Sequence, residues 1–250
     1  MHTNHQKHSL FISDLHLCDA RPAVTSAFIH FLKNQANAAE NLFILGDLFE
    51  YWAGDDDMDH PHHQSVIQAL KTLSNQGTKT YFIHGNRDFL IGEHFSKATG
   101  ITLLADPTLI ELYGNKVLLS HGDDLCTDDV AYQVFREQVR SPEWQRQFLS
   151  QPLASRKVQI DALRKRSEDE KSGKPLMIMD VNQAALEKRI MTYDYPPLFI
   201  HGHTHRPNVH DESFNNHHCQ RVVLGDWYDQ GSCLRLNDQG FESVDVKINS

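Results

Sequence analysis

Residues 42–47 read LFILGD, an apolar run that stops at a glycine and a carboxylate. Four other stretches have the same form. Apolar runs of this length, bounded by glycine and polar residues, predict buried β-strands. Because sites in open α/β sheets gather beyond the carboxyl ends of the strands, we expect the polar residues to lie together. The four other stretches are residues 10–16 (LFISDLH), 81–88 (YFIHGNRD), 117–123 (VLLSHGD) and 198–205 (LFIHGHTH).

The polar residues that follow these strands carry oxygen and imidazole donors, which bind divalent metal ions. Asp14 and His16 are two residues apart, and residues so spaced on an extended chain face the same side. Asp47 has two carboxylate oxygens, so we expect it to bridge two ions, holding one with each oxygen. Two ions about 3.5–4 Å apart clamp both oxygens of an in-line phosphoryl displacement. The expected ligand sets are Asp14, His16, Asp47 and His205 for one ion, and Asp47, Asn86, His121 and His203 for the other.

The donor types also bear on the identity of the metal. None of the expected ligands is a thiolate, which favours Mn²⁺ or a similar ion over a zinc–sulfur site. The four cysteines have no CxxC spacing and do not predict a zinc site or a disulfide framework. Cys18 and Cys126 lie near ligand motifs and are expected to be small buried residues.

Composition limits the class of partner. The net charge of −9 argues against generic nucleic-acid binding. The first ten residues have no apolar core of a signal peptide, and no stretch approaches the roughly 18 apolar residues of a membrane-spanning helix. A cytosolic chain is therefore expected. Nothing in the sequence indicates an oligomeric state.

The pattern of strands and helices predicts an α/β fold, in which a two-sheet β-sandwich is flanked by helices. We expect one domain over residues 1–250. Strands at 222–224, 233–236 and 244–248 are expected to finish the second sheet.

Residues 128–191 depart from the strand pattern and show helical spacing of apolar residues, with breaks at Pro142 and Pro152. This segment interrupts two ligand-bearing strands, so it is expected to form a cap over or beside the site. Within it, residues 136–166 hold eight Lys and Arg against three Asp and Glu, a charge of +5. Apolar faces flanked by bases suit an interfacial helix at a membrane, and equally an ordinary packed helix.

Two further helices are expected, at residues 23–38 and 65–75. The acidic run at residues 55–57 is expected to be a solvated loop. His60, His62 and His63 are expected to lie on the surface.

The five blocks follow the order D-x-H, G-D, G-N-x-D, a single His and G-H-x-H, and so resemble the calcineurin-like metallophosphoesterases. A narrower resemblance, to the UDP-2,3-diacylglucosamine pyrophosphohydrolases of lipid A biosynthesis, rests on residues 13–17 (SDLHL), 45–50 (LGDLFE), 84–90 (HGNRDFL), 125–129 (LCTDD) and 178–182 (IMDVN). It implies hydrolysis of the pyrophosphate bond of a nucleotide-linked diacyl sugar, giving UMP and 2,3-diacylglucosamine 1-phosphate. It also implies two Mn²⁺ ions per chain and a peripheral position on the cytoplasmic face of the inner membrane.

The resemblance also implies roles for individual residues. Asp47, Arg87 and His203 are implied to act in catalysis. Lys171 departs most from the family pattern, because the adjacent residues 168–170 are acidic. The implied substrate contacts are Asn86, Arg87, Asp129, Ser167, Lys171, Lys174 and His203.

Arg87 stands where many members of the wider superfamily have histidine. Arginine stays protonated and cannot act as a general acid, but its paired donors stabilise charge on phosphate oxygens. A phosphate leaving group needs little protonation, because its second pKa is only about 6. Arg87 is thus compatible with a pyrophosphate substrate, and the alternative is a structural salt bridge to Asp88 or a nearby carboxylate.

Two other functions fit parts of the sequence. A related phosphoesterase that acts on a soluble nucleotide or a phosphoprotein would have the same metal ligands. A non-catalytic scaffold associated with a membrane would be expected to lack some of the ligands, and the sequence contains all of them.

Overall fold

The computed structural model describes residues 7–173 and 176–248, and the side chains of these residues except 166–177. The strands of the described residues are β1 (Ser9–Ile12), β2 (Asn41–Leu45), β3 (Lys79–Ile83), β4 (Thr102–Leu104), β5 (Thr108–Leu112), β6 (Asn115–Leu119), β7 (Leu198–His201), β8 (Asn208–Phe214), β9 (His217–Val223), β10 (Gly231–Asn237) and β11 (Gly240–Val246). Their α-helices are α1 (Pro22–Asn34), α2 (Pro61–Asn75), α3 (Glu93–Thr99), α4 (Val130–Arg140), α5 (Pro142–Leu149), α6 (Leu153–Gly173) and α7 (Gln183–Thr192).

The strands form two mixed sheets. The first has the order β11-β10-β1-β2-β3-β4, and the second has the order β5-β6-β7-β9-β8. Strands β1 to β4 are parallel, as are β6, β7 and β9. The two-sheet α/β architecture predicted from the sequence is confirmed.

The last two strands belong to the first sheet, so their expected place in the second sheet is wrong. Strand β10 pairs antiparallel with β1, where Leu234 lies opposite Phe11. The chain leaves the second sheet after β9 and buries Trp227 edge-on against Phe28 and Phe31 of α1. Burial of this large side chain brings the following strand beside β1, and β11 then forms the edge of the first sheet.

The apolar runs are continuous because the central strands are covered on both faces. Between the sheets, Phe11, Phe43 and Tyr81 stack across three neighbouring strands, with ring centroids 4.9 and 4.8 Å apart. Alternate residues, such as Ile12 and Ile44, pack against the outer helices. Each strand is therefore fixed in register by side chains on two faces, and the residues at its end are fixed with it.

Helix α2 begins at Pro61, four residues before the predicted start, because proline is favoured at the first helical position. The earlier start buries His63, whose ring centroid lies 4.7 Å from that of Trp52. The prediction that His63 lies on the surface is therefore wrong.

Helices α4 to α7 lie between β6 and β7, which are neighbours in the second sheet. Proline begins α5, and Pro152 directly precedes α6, as the sequence predicted. Within the described ranges, no helix has the length and apolar character needed to cross a bilayer.

The acidic run at residues 55–57 holds parts of the fold together, so the expected solvated loop is wrong. Asp55 accepts the backbone N–H groups of Gly92, His94 and Phe95 at the start of α3. The other two carboxylates face α6, where Asp56 pairs with Arg156 and Asp57 lies 2.6 Å from the Lys157 ammonium. A short acidic turn therefore caps one helix and binds another.

Candidate active site

Five strands, three from the first sheet and two from the second, end at one edge of the sandwich. The turns after β1 and β2 are joined by the backbone, since Asp14 N–H donates to Gly46 and His16 N–H donates to Asp47. This edge brings together all seven residues predicted to bind metal: Asp14, His16, Asp47, Asn86, His121, His203 and His205.

The first cluster contains Asp14, His16 and His205. The Nε2 atom of His205 lies 3.2 Å from Asp14 Oδ1 and 3.3 Å from His16 Nε2. Their donor atoms lie within 4.8 Å of one another, a spacing that could hold a metal ion.

The second cluster contains Asn86, His121 and His203. Asn86 Oδ1 lies 3.1 Å from His121 Nε2 and 2.9 Å from His203 Nδ1. A carbonyl oxygen and two imidazole nitrogens thus converge on one point, and all three are donor types that divalent cations accept.

Asp47 lies between the two clusters, and one of its oxygens faces both. Its Oδ2 atom is 3.8 Å from His16 Nε2 and 3.9 Å from His121 Nε2. The Oδ1 atom instead accepts the backbone N–H of Arg87 at 2.8 Å. The geometry therefore differs from the expectation that each carboxylate oxygen faces a different ion.

The turns that carry these side chains are not extended. Five of the seven residues have the positive φ of the left-handed region, which is uncommon for residues other than glycine. Asp14 and His16 lie close together as expected, but the expected reason, an extended backbone, is wrong. The five φ values are 57° at Asp14, 50° at His16, 52° at Asp47, 68° at His203 and 55° at His205.

Gly46 allows the second turn to approach the third. A Cβ atom at Gly46 would lie 2.6 Å from the Cα of Gly85, too close for any other residue. Asp88 then fixes both turns, because its buried carboxylate accepts N–H groups from Leu48 at 2.7 Å and Gly85 at 3.0 Å. Burial and repulsion from Asp47 raise the pKa of Asp88 to about 7.

The charges at the site suit cations. Asp14 Oδ1 is buried and faces His205 Nε2 at 3.2 Å, while its other oxygen accepts the N–H of His203 at 2.9 Å. Burial disfavours the charged form of His121, but Asp47 and Asp14 outweigh it and raise the pKa of this histidine to about 9. Buried carboxylates that face imidazole rings are the environment that a divalent cation neutralises, so the residues fit a metal centre.

Arg87 lies at the edge of this centre, with its side chain 15% exposed. Its Nη1 atom is 3.8 Å from Glu50 Oε1. The Asp88 oxygens instead accept backbone N–H groups, so the nearby carboxylate of the salt-bridge alternative is Glu50. The guanidinium therefore retains donors for an anion.

The start of α4 lies beside the second cluster. Asp129 caps this helix by accepting the N–H of Tyr132 at 3.1 Å. The Tyr132 hydroxyl donates to buried Asp123 at 2.6 Å, and its ring lies 6.0 Å from that of His203. Three predicted contacts, the side chains of Ser167 and Lys171 and the whole of Lys174, lie outside the described residues.

Sequence reasoning missed Glu50, Asp88 and Asp123 as residues that organise the site. Each is a buried carboxylate near a ligand-bearing turn. The available signal was an acidic residue within a largely apolar segment, since such a group is rarely buried without partners. Cys126 is buried as expected, whereas Cys18 is half-buried.

Comparison with known proteins agrees with this geometry. A family model described as calcineurin-like phosphoesterase matches residues 8–207. A UDP-2,3-diacylglucosamine hydrolase of Vibrio parahaemolyticus is 50% identical over 242 residues, which cover 97% of this chain and 99% of the relative. The protein of that name in Aromatoleum aromaticum is 51% identical over 232 residues, or 93% of this chain and 94% of the relative. The one in Escherichia coli is 47% identical over 236 residues, or 94% and 98% of the two chains. With most of its length matched by the family model, the chain belongs to the calcineurin-like phosphoesterase family.

Proposed function

We propose that the chain hydrolyses the pyrophosphate bond of UDP-2,3-diacylglucosamine, giving UMP and 2,3-diacylglucosamine 1-phosphate for lipid A biosynthesis. The observation that carries the proposal is the pair of donor clusters on either side of Asp47, with Arg87 beside them. Relatives of that named activity at 47–51% identity over nearly the whole chain support this choice of substrate.

The proposed cofactor is a pair of Mn²⁺ ions. When bound, such a pair acts as a Lewis acid that activates water and offsets charge on phosphate oxygens. Carboxylate, amide and imidazole donors without thiolate support Mn²⁺ over a zinc–sulfur centre. The residues that would hold the ions are the two predicted sets, and Asp47 belongs to both.

The proposed catalytic residues are Asp47, Arg87 and His203. Arg87 would offset charge on the phosphate oxygens with paired donors, which is the main requirement of phosphoryl transfer. Burial and repulsion from His121 lower the pKa of His203 to about 3, so its ring is neutral and has a lone pair to offer. The proposed substrate contacts are Asn86, Arg87, Asp129, Ser167, Lys171, Lys174 and His203.

The proposed organisation is a single domain in which residues 128–191 form a helical cap. Two bases of this cap face inward: Arg156 is 1% exposed and Arg164 lies 3.4 Å from Glu50. These two bases therefore do not form the membrane-facing surface that an interfacial helix would need. The structure favours the packed-helix alternative for this face of α6.

An apolar surface elsewhere on the cap supports a peripheral position on the cytoplasmic face of the inner membrane. On α4, Val130 and Val134 are 68% and 62% exposed, and on α6 Val158 is 69% exposed. Val130 and Val134 lie one turn apart on α4, and exposed apolar side chains grouped in this way are typical of a helix face that meets lipid. Such a surface would keep the site close to a substrate with two acyl chains.

The test is mass analysis of the products formed from UDP-2,3-diacylglucosamine with added Mn²⁺. Equal amounts of UMP and 2,3-diacylglucosamine 1-phosphate, abolished by a chelator and restored by Mn²⁺, are expected. Turnover of a soluble nucleotide in place of the lipid would favour the related phosphoesterase. Absence of any turnover by the metal-loaded protein would favour the alternative of a non-catalytic, membrane-associated scaffold.

A further inference from the structure

Glu50 lies at the centre of a charged cluster between the candidate metal centre and helix α6, and its side chain is 10% exposed. Its Oε2 atom accepts a hydrogen bond from Arg21 Nη2 at 2.7 Å and lies 3.8 Å from His16 Nδ1. Its Oε1 atom lies 3.4 Å from Arg164 Nη2 and 3.8 Å from Arg87 Nη1. One carboxylate thus faces a proposed metal ligand, a proposed catalytic arginine and the cap.

Three guanidinium groups, those of Arg21, Arg87 and Arg164, surround the Glu50 carboxylate, and a second, exposed carboxylate, that of Asp161, lies 3.9 Å from Arg164 Nη1. Guanidinium groups brought this close repel one another unless an anion lies between them. Glu50 supplies the negative charge that Arg87 and Arg164 share, and the donors of Arg87 that do not face Glu50 can meet an anionic ligand such as a phosphate. A neutral residue at position 50 would leave Arg87 and Arg164 with mutual repulsion and no shared partner.

We propose that Glu50 is a positioning residue, which holds Arg87 of the sheet edge and Arg164 of α6 in one cluster. This inference rests on the function proposed above. Its consequence is that the orientation of Arg87 toward a phosphate depends on the position of α6. The cap and Arg87 are thereby coupled through a side chain that is not among the seven proposed metal ligands.

The cap is also held by contacts that do not involve Glu50. Arg156 donates to the carbonyl of Ala53 and pairs with Asp56, two turns before Arg164 on the same helix. Eight residues of helix span about 12 Å, so this contact is separate from the Glu50 cluster. Removal of the Glu50 charge is therefore expected to release Arg164 locally while the rest of α6 stays in place.

The decisive variants are Glu50→Gln, Arg164→Gln and the double variant, with Glu93→Gln as the matched control. Glu93 pairs with Lys97 on an exposed helix surface, where its loss should change nothing.

For Glu50→Gln we expect kcat on UDP-2,3-diacylglucosamine to fall about 10- to 100-fold, the usual effect of misplacing a catalytic group. Metal content and Tm should match the parent, and Glu50→Asp should recover part of the loss. The double variant should have the same kcat as the slower of the two single variants, because both substitutions remove the same Glu50–Arg164 contact.

Hydrogen exchange gives a readout that does not depend on the lipid substrate. Amides near Arg164 should exchange faster in Glu50→Gln, while those near Arg156 stay as protected as in the parent. If the two losses of activity multiply, or if exchange near Arg164 is unchanged, Glu50 does not act through Arg164 and the inference is wrong. Loss of metal from Glu50→Gln would also overturn the inference, because it would mean that Glu50 acts by orienting the proposed ligand His16.

The proposed function can fail separately. If the parent enzyme does not hydrolyse UDP-2,3-diacylglucosamine but does hydrolyse bis(4-nitrophenyl) phosphate, the proposed substrate is wrong. The same Glu50 and Arg164 variants can then still be compared on that ester.

Discussion

Asp47 and Arg87 are joined by a hydrogen bond, in which the Arg87 backbone N–H donates to Asp47 Oδ1 at 2.8 Å. The proposed shared metal ligand therefore also fixes the turn that carries the proposed catalytic arginine. The hydrogen bond directs Oδ2 toward both donor clusters. Substitutions at these two positions can separate metal binding from phosphate contact.

The first prediction concerns Asp47→Asn, which keeps the size of the side chain and removes its charge. We expect bound metal to fall below two ions per chain and turnover to fall at least about 100-fold, since ligand loss should exceed the effect of losing an outer-shell partner. Elemental analysis and a turnover assay measure both. Asp211→Asn, at an exposed position on β8, is the control. Two full equivalents of metal in the Asp47 variant would contradict the bridging role.

A second prediction separates Arg87 from the metals. Arg87→Lys keeps the positive charge but loses the paired donors, so kcat should fall at least about tenfold with metal content unchanged. Steady-state kinetics and elemental analysis on the same sample measure this. Loss of metal or a lowered Tm would instead assign Arg87 a structural role beside Glu50.

Buried Arg156 carries a third prediction. Arg156→Ala removes the donor to Ala53 and leaves Asp56 without its partner, so the variant should lose about 2–3 kcal/mol of stability. Its Tm should fall, and hydrogen exchange in α5 and α6 should quicken together. Arg146→Ala, at an exposed position on α5, should leave both unchanged. An unaltered Tm in Arg156→Ala would mean that the contact contributes nothing to cap docking.

The exposed apolar residues of the cap give a fourth prediction. Changing Val130 and Val134 to Ser should weaken binding to vesicles of inner-membrane lipids at least about fivefold, because burying one valine side chain contributes about 1.5 kcal/mol. Vesicle sedimentation measures this, and Tm should be unchanged because both residues are exposed. Arg156→Lys should bind vesicles like the parent. Undiminished binding by the valine variant would refute this surface as the lipid contact.

The sequence predicted the central strands and the gathering of their polar ends, because both follow from local apolar runs. It did not predict the sheet to which β10 belongs, since that depends on Trp227 packing against α1 from far along the chain. The inward orientation of Arg156 and Lys157 was not predicted either, because it too depends on contacts with residues far away in the sequence. A charge count over residues 136–166 records eight bases but not that Arg156 and Lys157 meet Asp56 and Asp57.

The orientation of the Asp47 carboxylate was also not predicted from the sequence. A D-x-H spacing specifies which side chains are near one another, but not the backbone conformation between them. Asp14 and His16 both have positive φ, and nothing in their residue types requires it. The direction of Asp47 Oδ2 depends on the backbone N–H of Arg87, which a motif does not record.

Those left-handed residues matter for anyone who would rebuild this centre in another protein. Positive φ at a residue other than glycine carries a conformational penalty, which is smallest for Asn and Asp. An alanine scan of the five positions would therefore mix the loss of a ligand with backbone relaxation, whereas Asp→Asn exchanges at Asp14 and Asp47 would not. A transplanted copy that reproduces the seven side chains on ordinary turns would place their donor atoms in the wrong directions. A transplant of this site must therefore include the backbone turns as well as the seven side chains.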